Sequence, residues 1–158
     1  MFNTRIPSAA LLLSLAGLAP FIWAALLVVD IWEVETAWVP EFMKLPQVLE
    51  GDGRLIMIRY GGIILPFMSG VLWGFATKAS SWRAAACYIF SVLPALWWFF
   101  MPGLGVNSAL INLAIGFLAL LILDYMFQRW ELAPAWWMFL RVQLTVVVLI
   151  CLVIGIWA

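Results

Sequence analysis

Charged side chains beside long apolar runs are the residues of this sequence with the clearest chemistry. Arg59 lies about one turn inside such a run, Asp30 ends another, and Asp124 and Arg141 stand between the last two runs. Opposite charges in this setting pair with each other, because an unpaired charge among apolar groups is costly. We therefore predict the ion pairs Asp30–Arg59 and Asp124–Arg141, the second closing a helical hairpin.

The other residue types give little support to catalysis or metal binding. There is no histidine, which is the commonest metal ligand and general base, and Cys87 and Cys151 both lie in apolar runs. No Ser/His/Asp set, Cys/His pair or phosphate-cradling glycine loop occurs. We predict no catalytic residue, no metal site and no cofactor, and we favour a role other than that of an enzyme.

Tryptophans form a second group of candidate site residues. Most of the 11 lie near the ends of apolar runs, where an interfacial belt explains them. Those inside the runs have two open interpretations: they pack against protein, lipid or the interface, or they line a pocket for a flat hydrophobic ligand. The candidates for that pocket are Trp23, Trp73, Trp97, Trp98 and Asn112.

Membrane-spanning helices must position these side chains. Hydrophobic residues make up 67% of the 158 residues and charged residues 10%, against roughly 45–50% and 25% in soluble chains. This composition excludes a soluble globule and a disordered tail. The net charge of zero leaves no basic field for nucleic acid.

Five apolar runs approach the length of about 20 residues that a helix needs to cross the hydrocarbon core. They cover about residues 8–29, 55–77, 84–101, 106–123 and 142–157. We predict an all-α membrane protein with a single domain over residues 1–158, a bundle of five transmembrane helices joined by short loops. The exception among the loops is the acidic segment 30–54, whose interleaved aromatic residues are typical of a segment on the outer membrane surface.

The basic residues predict the orientation of the bundle. With five spans, the N-terminus and the second and fourth loops share one side, which carries five basic residues against three on the other. Cytoplasmic loops are enriched in Lys and Arg. We expect the inner membrane of a bacterium, with the N-terminus cytoplasmic and the C-terminus periplasmic, or the mitochondrial inner membrane if the protein is eukaryotic.

The second span carries the most regular pattern of small residues. Gly62, Gly70 and Gly74 are candidate helix-packing residues, and the last two share a helix face on which another backbone can approach closely. Three spans also contain a proline near the middle, which removes a backbone hydrogen bond and can kink the helix: Pro20, Pro66 and Pro94.

Several short motifs are similar to those of a known family. They are Ile6-Pro7, the run from Tyr60 to Gly74, Ser91 to Pro94, Leu121 to Asp124, and Pro134-Ala135-Trp136 before Arg141. Together they resemble the domain-of-unknown-function 3429 family, the transmembrane protein 69-like family of small polytopic membrane proteins. Members often carry a histidine where this sequence has Leu72. The resemblance covers nearly the whole chain and implies an architecture without an established activity.

Two functions of different classes stay open. Small size, little extramembrane mass and the glycine face of the second span favour a non-catalytic accessory subunit or assembly factor. Its partners would be the lipid bilayer and other membrane proteins or a second copy of itself, and not nucleic acid. The alternative is a binder or sensor of a hydrophobic ligand, such as a porphyrin, carotenoid, sterol or quinone-like molecule. The five-span, tryptophan-rich plan is similar in outline to that of the translocator or tryptophan-rich sensory proteins.

Overall fold

The computed structural model describes residues 6–29 and 52–158, and every regular element within these ranges is an α-helix. The helices are α1 (Ser8–Ala16), α2 (Ala19–Val28), α3 (Gly53–Ala76), α4 (Ser81–Phe100), α5 (Val106–Arg129) and α6 (Trp137–Trp157). With α1 and α2 taken as one span, five helices are long and apolar enough to cross a membrane. The predicted class, an all-α protein with five membrane-spanning helices, is confirmed.

The first span is interrupted at Gly17 and Leu18. Pro20 lies in the first turn of α2, where the missing N–H is tolerated, but it cannot bond to a carbonyl in the preceding turn. The N–H of Gly17 donates to the carbonyl of Leu13 at 3.0 Å and closes α1. The kink expected from this proline therefore takes the form of a break between two short helices. The other two mid-span prolines stay inside α3 and α4.

The last two helices are longer than their apolar runs. The predicted runs ended at residue 123 and began again at 142, whereas α5 continues to Arg129 and α6 begins at Trp137. Asp124 and Arg141 therefore lie within helices. The fourth and fifth spans were predicted too short because hydropathy marks the end of an apolar run and not the end of the helical hydrogen bonding.

The centre of the bundle is formed by α3 and α5. Helix α3 packs against α2, α4, α5 and α6, and α5 packs against α3, α4 and α6. Leu65 of α3 and Leu113 of α5 are fully buried in this core. Gly116 brings the two backbones close together, because a Cβ there would stand 2.6 Å from a methyl group of Leu65.

Two connections meet at one end of the bundle. Residues 77–80 join α3 to α4, residues 130–136 join α5 to α6, and the Nζ of Lys78 donates to the carbonyl of Leu132 at 3.1 Å. At the other end, residues 101–105 join α4 to α5. Gly103 has a φ of +91° there, and a Cβ would stand 2.5 Å from the backbone nitrogen of Ala109. Only glycine fits this turn without strain.

Candidate ligand-binding site

A buried carboxylate joins the last two helices. Asp124 of α5 is fully buried, and its Oδ2 accepts a hydrogen bond from Nε of Arg141 at 2.7 Å. Its Oδ1 accepts from Nε1 of Trp137 at 2.8 Å. The guanidinium carbon of Arg141 also lies 6.0 Å from the centre of the Trp137 ring. We call these three residues the Asp124 network.

The spacing along α6 explains how this network forms. Trp137 and Arg141 are four residues apart, so that their side chains lie on one helix face and both reach the carboxylate that α5 presents. The structure brings together the two charges that the sequence indicated as partners. Sequence reasoning missed Trp137, which it assigned to an interfacial belt. The four-residue spacing to Arg141 was the available signal.

An apolar cavity of about 470 Å³ adjoins the Asp124 network, and we call it the Arg141 cavity. Its volume falls in the range of about 300–1,000 Å³ that is typical of small-molecule sites. Side chains from α1, α2, α3, α5 and α6 line it together with the residue before α6. The aromatic part of the wall consists of Phe21, Tyr60, Phe67, Phe117, Trp136 and Trp137.

Two buried polar side chains line this cavity from α6. Arg141 is 5% exposed and Thr145 is 1% exposed. The Nη2 of Arg141 and the Oγ1 of Thr145 have no hydrogen-bond partner within the described part of the chain. An unsatisfied buried polar group costs roughly 1–3 kcal/mol, so such groups are rare unless something else satisfies them. The arrangement can donate hydrogen bonds to an acceptor held among apolar groups.

Exposed side chains of α1 and α3 form part of the cavity wall. Leu13 and Phe67 both line it and are 74% and 64% exposed. Helix α1 contributes no buried residue of its own. Where α1 meets α2, the carbonyl of Gly17 accepts a hydrogen bond from the hydroxyl of Tyr60 at 3.0 Å. This polar contact from α3 anchors the helix break beside the cavity.

The residues predicted to form a tryptophan pocket do not line the Arg141 cavity. Nε1 of Trp97 donates to the backbone carbonyl of Asn112 at 3.0 Å, and Nδ2 of Asn112 donates to the carbonyl of Met101 at 3.0 Å. These bonds tie the C-terminal end of α4 to α5. The indole nitrogen of Trp97 is thus satisfied by a neighbouring helix.

The three other predicted tryptophans are spread over different helices. Trp23 is half-buried on α2, and Trp98 is half-buried on α4. Trp73 is 49% exposed on α3, with its ring centre 4.7 Å from that of Tyr88. None of them lines the Arg141 cavity, and the prediction that they line a ligand pocket stays a prediction.

The predicted packing glycines have different surroundings. A Cβ on Gly62 would stand 2.6 Å from Nε1 of Trp98, so this glycine allows α4 to approach α3. At Gly70 and Gly74 no atom of the described chain lies within 4 Å of a Cβ position. The face of α3 that carries this pair contacts no other described helix there, and its role in helix packing stays a prediction. Sequence reasoning missed Gly116, which does lie in a helix contact.

One predicted ion pair falls partly outside the described residues. Asp30 and most of the acidic segment 30–54 belong to the part of the chain that is not described, whereas Arg59 lies exposed on α3. The Asp30–Arg59 pair therefore stays a prediction.

Among residues 6–29 and 52–158, no group of three or more His, Cys, Asp or Glu side chains could hold a metal ion. Cys87 of α4 and Cys151 of α6 are buried free thiols. Within the described chain, the polar groups of the candidate site include the hydroxyls of Ser14 and Tyr60, the unpartnered donors of Arg141 and Thr145, and the ion pair beside them.

These features define a polytopic α-helical membrane protein with a buried ion pair beside an apolar cavity. The chain belongs to the family described as "Protein of unknown function (DUF3429)", which matches residues 6–157. It is also similar to Transmembrane protein 69 of Xenopus tropicalis, with 31% identity over 156 residues that cover 93% of this chain and 53% of the relative. The chain thus spans about half the length of that relative. No solved structure matches the chain. The resemblance to this family drawn from the sequence motifs is confirmed.

Proposed function

We propose that this protein is a non-catalytic membrane protein that binds a hydrophobic ligand in the Arg141 cavity. The observation that carries the proposal is that Arg141 and Thr145 line an apolar cavity and that each has a buried polar atom, Nη2 and Oγ1, without a partner in the described chain. Apolar walls with a few convergent polar groups are the usual composition of a small-molecule site. A bound acceptor would offset the desolvation of both groups.

The ligand would enter sideways from the lipid. Leu13 and Phe67 at the margin of the cavity are exposed apolar side chains, and in a bilayer such side chains face hydrocarbon. A molecule dissolved in the membrane would therefore reach the cavity without crossing water. This route fits the hydrophobic-ligand function that the sequence left open, with the site at α6 in place of the predicted tryptophan set.

Photo-crosslinking in lipid nanodiscs tests the proposal. A long-chain methyl ester carrying an alkyl diazirine is irradiated with the purified protein, and the adducts are mapped by mass spectrometry. We expect adducts on the α1 and α6 peptides that line the cavity. Ser14 lines the cavity from α1, so Ser14→Phe should remove most of this labelling.

The matched control is Ala16→Phe, which adds the same ring to an exposed position of α1 outside the cavity wall. This variant should label like the parent protein. Equal labelling of the parent and of both variants would refute binding in the Arg141 cavity.

A second candidate function, that of an accessory subunit or assembly factor, is supported by the outward face of α3. Gly70 and Gly74 are exposed, and the described chain leaves the space above them open. In membranes a face of small residues allows a helix of another protein to approach closely. Migration above the mass of a dimer on a native gel after mild solubilisation would favour this role, and migration as a monomer or dimer would count against it.

The proposed location is a bacterial inner membrane, or the mitochondrial inner membrane in a eukaryote, with the N-terminus on the cytoplasmic side. The basic residues at the end of the bundle where Lys78 meets Leu132 support this orientation. Alkaline phosphatase fused after Ala158 should be active in a bacterial host, because this enzyme is active only outside the cytoplasm. An inactive fusion would contradict this orientation and place the C-terminus in the cytoplasm.

A further inference from the structure

We infer that the Arg141 cavity selects an uncharged amphiphile that presents a carbonyl-type oxygen to Arg141 and Thr145. The inference rests on the proposed function and specifies the chemical class of its ligand. It follows from three properties of the site: the charge balance at Arg141, the depth of the two polar atoms, and the donors that they offer.

The charge of Arg141 is already balanced. Its Nε lies 2.7 Å from Oδ2 of Asp124, and the two side chains are 6% and 1% exposed. An anionic ligand would add a second negative charge beside a neutral pair in surroundings of low dielectric. Such a charge is strongly penalised unless another cation offsets it. An uncharged acceptor takes the Nη2 hydrogen bond without that penalty.

The depth of the two polar atoms also disfavours a charged headgroup. Arg141 and Thr145 are four and eight residues past Trp137, the first residue of α6. At a rise of about 1.5 Å per residue they lie about 6 Å and 12 Å along the helix from its start. The two residues are thus about one and two turns inside the membrane-spanning helix α6. Ester and quinone oxygens are tolerated at such depth far better than an ionised group.

The donors match an oxygen with two lone pairs. An arginine Nη2 is a donor only, and a threonine hydroxyl can donate as well as accept. Because the two residues are one turn apart on α6, a single oxygen between them can accept from both. The apolar part of the ligand would then pack along Phe21, Phe117 and Leu144 in the cavity wall.

Competition against the photoreactive ester tests the class of ligand. Four unlabelled competitors with alkyl chains of comparable length are added to the protein in nanodiscs at alkaline pH, each at the same concentration in the bilayer: a fatty acid methyl ester, the same fatty acid as its carboxylate, an alkane, and an alkyl benzoquinone. We expect the ester or the quinone to displace the probe at a concentration about tenfold or more below that of the alkane, as a hydrogen bond to a charged donor implies. The carboxylate should compete no better than the alkane.

The variant Thr145→Val removes one donor while keeping the size of the side chain. It should weaken ester competition about three- to tenfold, which is the value of one hydrogen bond. It should not lower the thermal stability of the ligand-free protein, because it removes a buried hydroxyl that lacks a partner in the described chain. If Thr145 had only a structural role, Thr145→Val would lower the thermal stability of the ligand-free protein. The control Thr77→Val makes the same change at an exposed position outside the cavity and should leave competition unchanged.

The outcomes separate this inference from the proposed function. If the carboxylate competes as well as the ester, or if all competitors act alike while Ser14→Phe still abolishes labelling, the ligand class is refuted and the binding function stands. If Thr145→Val has no effect on competition, recognition by this hydroxyl is refuted. If labelling is independent of the cavity variants, the proposed function itself fails. If the ester displaces the probe at a lower concentration than the quinone, the ligand oxygen is a lipid-type carbonyl. If the quinone displaces it at the lower concentration, the ligand is a quinone.

Discussion

The guanidinium of Arg141 and the carboxylate of Asp124 meet at 2.7 Å between α5 and α6, and both side chains are more than nine-tenths buried. Arg141 also lines the Arg141 cavity, and its Nη2 has no hydrogen-bond partner in the described chain. One side chain therefore stabilises the contact between the last two helices and also faces the candidate ligand. A variant of Arg141 changes both properties at once, so variants of its neighbours are needed to separate them.

Removing one charge of the buried ion pair should destabilise the protein more than removing both charges. Asp124→Asn leaves the buried Arg141 without a counter-charge and should lower the free energy of unfolding by about 3 kcal/mol or more. Combining it with Arg141→Gln leaves no charge and should recover most of that loss. The free energy is measured in mixed micelles with increasing SDS.

The matched control for the buried pair is Asp52→Asn. Asp52 and Arg54 are 3.5 Å apart and both side chains are at least one-third exposed, so loss of this charge should change stability by less than about 1 kcal/mol. Equal destabilisation by the single and the double variants at Asp124 and Arg141 would show that the two residues are not coupled.

Trp137 should contribute to stability through its indole N–H. The variant Trp137→Phe keeps an aromatic ring but removes the 2.8 Å hydrogen bond to Oδ1 of Asp124. Because the acceptor is charged, we expect a loss of about 1.5–3 kcal/mol in the same SDS titration. Trp136→Phe makes the same change at a residue outside the Asp124 network and should cost clearly less. Similar losses for both variants would contradict the role assigned to the Trp137 indole.

Substitution by alanine should change protein stability in opposite directions at two glycines of α3. At Gly62 the added methyl group would stand 2.6 Å from Trp98, so α4 must move and stability should fall by about 1–3 kcal/mol. At Gly70 the described chain leaves room for a methyl group, and the better helix propensity of alanine should stabilise the protein by about 0.5–1 kcal/mol. Thermal unfolding in one detergent compares the two. A loss at Gly70 as large as that at Gly62 would indicate an undescribed contact on that face.

Tyr60 should stabilise the backbone conformation at the break between α1 and α2. Tyr60→Phe removes the 3.0 Å hydrogen bond to the Gly17 carbonyl while keeping the ring that packs against Phe21. A bond worth about 1 kcal/mol changes local opening about fivefold. We expect the amides near Gly17 to exchange hydrogen faster by about this factor. The control is Tyr125→Phe, on the exposed surface of α5. Equal hydrogen exchange near Gly17 in both variants would show that the Tyr60 hydroxyl does not stabilise the helix break.

Much of the architecture can be predicted from the sequence because the bilayer imposes it locally. Hydrocarbon selects continuous apolar runs of a given length, so counting apolar residues indicates five spans without any knowledge of their packing. Charge placement also indicates Asp124 and Arg141 as partners, since the chain returns directly after α5 and leaves each residue near the other. The exact ends of α5 and α6 were not predictable in this way, because a neutralised ion pair can stay inside a helix.

The candidate site depends on side-chain directions that local sequence does not specify. The sequence does not distinguish the surroundings of Gly62 and Gly70, yet Gly62 faces α4 and Gly70 faces no other helix of the described chain. Trp97 and Trp137 both carry an indole N–H, yet one bonds to a backbone carbonyl and the other to a buried carboxylate. The rotation of each helix about its axis decides these differences.

The sequence by itself determined the fold class, the number of apolar spans and the family, because each follows from residue types read along the chain. Only the tertiary structure decided that Arg141 and Thr145 line a cavity together with side chains of α1, α2, α3 and α5, and that the tryptophans chosen from sequence do not line it. The physical reason is that hydropathy is a sum over local residues, whereas a cavity forms where helices distant in sequence fail to fill the space between them.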